Sequence, residues 1–109
     1  MGTYTKYTLV TYNNGGKNSP AELTSDEAKY MAENVAIRNE YIKAGKTHSD
    51  QVQGIYDPKT GTAKRLWIDQ ESADEYKAQV LANAQKYNVD VTVDVGDYSG
   101  PDPLPKNAK

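Results

Sequence analysis

Gln51-Val52-Gln53-Gly54-Ile55-Tyr56-Asp57-Pro58-Lys59-Thr60-Gly61-Thr62-Ala63-Lys64-Arg65-Leu66-Trp67-Ile68 reads as a hairpin set between two helices, and that placement decides the fold. Gln51 to Tyr56 and Thr62 to Ile68 are its strands. Pro58 presets φ for the first central position of a turn, and Gly61 can take the left-handed conformation that closes it. A capped helical pattern precedes the hairpin, from Thr24 to Ala44, and a second follows, from Asp69 to Tyr87. An alternating run, Thr3 to Tyr12, comes first, and another, Val89 to Val95, comes after the second helix. The order is βαββαβ, the split-βαβ pattern of a ferredoxin-like α+β sandwich with two helices on one face of a four-stranded antiparallel sheet. That superfold carries enzymes, RNA binders, metal carriers and interaction modules, so it leaves the function open.

Local signals agree with this order. Thr24 with Glu27 makes a capping box, and Gly45 supplies a stop. Ala28, Met31, Val35 and Ile42 form the main apolar stripe of the first helix, flanked by Tyr30, Ile37 and Tyr41. Ser72 with Glu75 offers a second box, and Ala73, Tyr76, Val80, Ala84 and Tyr87 recur at helical spacing. In the last strand Val89, Val91, Val93 and Val95 point inward, and Asp90, Thr92 and Asp94 outward. In the first strand the charge of Lys6 assigns its own set, Thr8, Val10 and Tyr12, to solvent or a partner. The helices then cover Leu9, Leu66, Ile68 and the valines. Residues 1–97 form one domain, and the Pro-rich segment 98–109 is expected to be a flexible tail.

Composition narrows the function classes. The net charge is −2 among 109 residues, and the pI is near 5.3. This balance gives no pull toward DNA, RNA or anionic lipid. There is no cysteine, which excludes disulfides, thiolate metal sites and thiol nucleophiles. No run approaches the roughly 20 apolar residues of a membrane span. The first residues lack the apolar core of a signal peptide, and Lys6 stands where a myristoylation motif wants Ser or Thr. A cytoplasmic protein is expected. Nine Tyr and one Trp stand beside no Phe, so every aromatic carries a polar handle suited to half-wet surfaces.

Catalytic and metal motifs do not assemble. His48 sits between Thr47 and Ser49, and the adjacent Ser49 and Asp50 imitate a triad in sequence only; an exposed loop histidine is the plain reading. Gly15-Gly16-Lys17 and Gly45-Lys46-Thr47 lack the first glycine of a phosphate loop. Asp90, Asp94 and Asp97 lack the pattern of a calcium loop, and edge-strand protection explains them. Leu9-Val10-Thr11-Tyr12-Asn13 faintly echoes an RRM strand, yet the third strand has neither the glycine nor the paired aromatics of that family's other motif. No catalytic residue, cofactor or metal ligand is assigned.

The expected site is the open sheet face, where Val10, Tyr12, Arg65 and Trp67 would bind a partner, since Trp, Tyr and Arg are the usual hot-spot types. The occupant would be a second copy, with Trp67 near the centre of a homodimer, or the chain's own tail. Arg65-Leu66-Trp67-Ile68-Asp69-Gln70-Glu71-Ser72-Ala73-Asp74-Glu75-Tyr76 resembles a segment that recurs in small uncharacterised proteins of tailed bacteriophages. That resemblance implies a phage or phage-derived product, and carries over no functional residue. The expected function is a non-enzymatic protein-interaction module, a phage accessory or virion protein. Two alternatives stand beside it. One is a small dimeric α+β-barrel enzyme or ligand binder with a pocket between helices and sheet, where Tyr41, Tyr76 and Tyr87 supply polar tips. The other is single-stranded RNA binding through the open face.

Overall fold

The computed structural model describes residues 2–13, 25–57 and 59–106. In chain order the elements are β1 (Lys6–Tyr12), α1 (Ser25–Lys43), β2 (Tyr56–Asp57), β3 (Thr62–Trp67), α2 (Gln70–Lys86) and β4 (Val91–Asp97). The strands form one antiparallel sheet in the order β2-β3-β1-β4, with the helices on one face. This is the ferredoxin-like βαββαβ fold.

The helix ends follow from local chemistry. Asp69 caps α2, its carboxylate accepting the Ser72 N–H at 2.8 Å, so the cap precedes the Ser72 box. Thr24, the expected cap of α1, lies outside the described residues, as does Pro58. Both helices end in Schellman motifs. In α1 Gly45 is left-handed, with Lys46 N–H on the Tyr41 carbonyl and Gly45 N–H on that of Ile42. In α2 Asn88 takes the same role at φ 56°, with Val89 N–H on the Ala84 carbonyl. Gly61 is left-handed at φ 67° and donates to the Asp57 carbonyl, as the expected turn requires.

The core sits between sheet and helices. It gathers Val10, Tyr30, Trp67, Ala73, Tyr76, Val80, Ala84, Val89 and Val93. The α2 stripe and the inward valines of β4 are therefore as expected. Two other assignments are corrected. First, α1 is turned by about one position: Tyr30 and Asn34 are buried, while Ala28 and Val35 are exposed. Asn34 can lie inside because its amide oxygen accepts from Asn83 Nδ2 of α2 at 3.0 Å. Second, the faces of β1 and β3 are inverted. Val10 pairs with Val93, and Lys6 with Trp67, so Val10, Tyr12, Arg65 and Trp67 lie under the helices. Tyr7, Leu9, Lys64 and Leu66 form the far face.

The expected strand from Gln51 to Tyr56 shrinks to two residues. Thr47 bridges Trp67, the chain bulges away through 48–54, and Ile55 returns to accept the Lys64 N–H. Side chains take the place of the missing strand mate. Thr47 Oγ1 donates to the Leu66 carbonyl at 2.6 Å, and the Leu66 N–H donates to His48 Nε2 at 3.1 Å. The Pro-rich segment is tied to this bulge. Gln53 N–H donates to the Leu104 carbonyl and Lys106 N–H to that of Gln51. Asp102 accepts from Thr3 N–H and Thr3 Oγ1. Among the described residues no helix is long and apolar enough to cross a membrane.

Candidate functional site

Trp67 is the centre of the interior, not of an open face. Its side chain is 0% exposed. The indole N–H donates to Thr8 Oγ1 on β1 at 3.0 Å, which satisfies the polar group that burial would otherwise leave unpaired. The ring packs against Tyr41 of α1 at a centroid distance of 5.3 Å and against Tyr76 of α2 at 4.9 Å. A homodimer built on Trp67 would require this core to open, so the open-face interface with Trp67 at its centre is withdrawn.

Arg65 is also inside, at 4% exposure. Three neighbours make that possible. Its guanidinium donates to Thr47 Oγ1 at 3.1 Å, to the His48 carbonyl at 2.6 Å, and to the Asp50 carboxylate. Arg38 of α1 reaches the same carboxylate with two contacts of 3.3 Å, and touches the Tyr76 hydroxyl at 3.4 Å. Two guanidinium groups thus share one carboxylate. Burial, and then the nearby Arg38 charge, lower the pKa of Arg65 to about 10, still far above neutrality.

Beside this cluster a cleft of about 230 Å³ opens between α1 and the sheet. Val10, Met31, Val35, Ile55 and Ala63 give it apolar walls. Thr8, Tyr12, Asn34, Tyr76, Arg38 and Arg65 bring polar groups to them. Burial raises the pKa of the Tyr12 phenol, which keeps that hydroxyl a neutral donor. Behind it the buried Tyr30 hydroxyl faces Tyr12 and Asn34 without meeting either at hydrogen-bond geometry. Three of the four residues expected to bind a partner, Val10, Tyr12 and Arg65, therefore meet in one place, on the helix side of the sheet. Sequence reasoning missed Arg38 and Asn34, and read Asp50 only as part of an imitation triad. The signal for the first two was their spacing, a polar pair one turn apart on a helix otherwise judged by its apolar stripe.

His48 is buried rather than exposed. Nε2 accepts from the Leu66 N–H, and Nδ1 lies 2.8 Å from the Ser49 carbonyl. A carbonyl can only accept, so Nδ1 carries the proton and the ring is neutral. Burial lowers its pKa below 6.5. Both ring nitrogens are occupied in holding the backbone. Among the described residues no three His, Cys, Asp or Glu side chains are placed to hold a metal ion.

Fold and cleft together define the class: a small ferredoxin-like α+β domain with a polar-tipped pocket between one helix and the sheet. No protein-family model, no curated protein and no solved structure matches the chain.

Proposed function

We propose that this chain is a binding domain whose site is the cleft between α1 and the sheet, and that its ligand is a small, partly apolar molecule. The cleft itself is the observation behind this reading. Apolar walls with a few convergent polar groups are what small-molecule sites present. At about 230 Å³ it lies below the roughly 300–1,000 Å³ of pockets for drug-sized ligands, so the ligand is small. Of the functions expected from sequence, the ligand binder now has the better support. The open-face site expected for a protein partner included Trp67 and Arg65, and both are enclosed.

The test is a fragment screen by thermal shift, followed by amide chemical-shift mapping. A ligand that binds only the folded chain at about 100 times its Kd should stabilise it by roughly 2.7 kcal/mol. Perturbed amides should cluster at Val10, Ala63, Asn34 and Arg38. Ala63→Phe should fill the cleft and weaken binding by about tenfold or more while the chain stays folded. Val35→Trp is the gentler block, because Val35 is exposed at the cleft wall. Shifts mapped to the far face, or unchanged binding in both folded variants, would reject the site.

A further inference from the structure

We infer that the cleft takes its ligand as an anion, with a carboxylate held by Arg38 and Arg65. The inference rests on the cleft being a ligand site and adds the chemical class of what enters it.

The first observation is the sign of the lining. The chain as a whole is acidic, at −2. Yet Arg38, Lys64 and Arg65 are the charged residues among the described residues of the cleft wall, and no Asp or Glu joins them. The Lys64 ammonium faces elsewhere, 5.2 Å from the Tyr7 ring centroid on the far face. Arg38 and Arg65 are left as the charged residues of the wall, and their guanidinium groups converge on Asp50.

The second observation is where their counter-ion lies. Asp50 is not on the cleft wall; it lines the neighbouring groove with Tyr56 and Lys106. It holds both guanidinium groups from that side. One carboxylate against two cations leaves one positive charge uncompensated, next to a space large enough for a ligand. The deficit is in a partly dry place, because the Arg65 side chain is 5% and the Arg38 side chain 21% exposed. Weakly solvated cations attract an anion more strongly than surface cations do.

The third observation is geometric. A guanidinium presents five N–H donors in a planar fork, which matches a carboxylate. Arg38 is positioned by Asp50 on one side and by the Tyr76 hydroxyl on another. Arg65 is held by Thr47, His48 and Asp50. Both side chains are thus fixed before a ligand arrives, which spares the ordering of two long chains on binding. The apolar walls opposite would take the ligand's hydrocarbon part.

Benzoate and benzamide test this directly, because they share shape and differ in charge. The full chain is titrated with each, following the amides and the arginine Nε–H signals by NMR. Benzoate should bind at least about tenfold more tightly, moving the Arg38 and Arg65 signals. Its advantage should shrink as ionic strength rises to about 0.3 M. Arg38→Gln, with its fold checked by melting, should lose most of the difference while Arg65 keeps Asp50. Equal affinity for the two probes would overturn the anion and leave the cleft as a neutral ligand site. The anion is overturned in the same way if neither probe binds while neutral fragments still map to the cleft. If no small molecule of any charge perturbs the cleft, both the anion and the ligand reading fall.

Discussion

The two faces of the sheet carry similar sequence and have different fates. Under the helices Val10, Trp67 and Val93 are buried in an aromatic-rich core. On the far face Tyr7 and Leu9 are half-buried, and Thr92 and Asp94 are exposed. Among the described residues, the β3 end of that face is lined by Leu66, His48, Val52, Pro101 and Pro103 around a second cleft. Alternation tells which residues share a face. It does not tell which face the helices will take when each set holds both apolar and polar members. Partners decide. Thr8 and Trp67 satisfy each other, and Arg65 enters the core side because Thr47, His48 and Asp50 receive it.

The largest effect should separate the two faces outright. Trp67→Ala should cost about 3–5 kcal/mol in urea melts, the range for emptying a large buried aromatic site. Leu9→Ala, half-buried on the far face, should cost less than about 1 kcal/mol. Comparable losses would mean that the far face carries as much of the fold as the core, and the contrast would be gone.

The element order is legible because each element announces itself locally. Asp69 caps, Gly45 stops, Gly61 turns, and the four α2 positions Ala73, Tyr76, Val80 and Ala84 share one side. Strand β4 reads correctly because its valines alternate with Asp90, Thr92 and Asp94 and leave no ambiguity. Strand β1 misleads through Lys6. That residue lies on the core side at the sheet margin, where its ammonium meets Asp97 of β4, a partner 91 positions away. The cleft is illegible for the same reason. Arg38, Asp50 and Arg65 come from a helix, a bulge and a strand, and no local spacing joins them. The docking of residues 98–106 depends on backbone bonds to the 51–53 bulge, which composition does not show.

A middle-sized effect concerns that docking. Truncation after Asp97 removes the bonds of Tyr98, Asp102, Leu104 and Lys106 to the rest of the chain. Hydrogen bonds of this kind are worth about 0.5–1.5 kcal/mol each, offset by the entropy of the freed segment. A net loss of about 1–3 kcal/mol is expected. The chain has one Trp, so fluorescence reports the helix-covered face alone. The truncated, folded chain should keep the blue-shifted emission of a buried indole. A red shift would show that the segment guards Trp67 after all.

The smallest effect is at the edge of β3 that the 48–54 bulge lines, between the two faces. The only histidine of the chain, His48, holds the Leu66 N–H through an unprotonated Nε2. Its pKa is lowered from 6.5 first by burial and also by the Arg65 charge, against the raising effect of the Ser49 carbonyl. Below pH 6.5 the unfolded chain therefore takes up a proton that the folded chain resists. Stability from this group is complete above 6.5, falls as pH drops toward the lower folded value, and levels off beneath it. Ordinary carboxylates titrate nearer 4, so melts between pH 7 and 5 read His48. Protonation adds a donor to Nε2 where the Leu66 N–H already points, and frees the 48–54 bulge before it reaches Trp67. Leu66 amide exchange, corrected for the intrinsic pH dependence, should lose protection across that window while Trp67 emission stays constant. His48→Gln should remove the pH dependence. A stability profile flat from pH 7 to 5 in the parent chain would mean that the ring is not the mate of Leu66, and that the covered end of the far face is held by the bulge and the 98–106 segment without it.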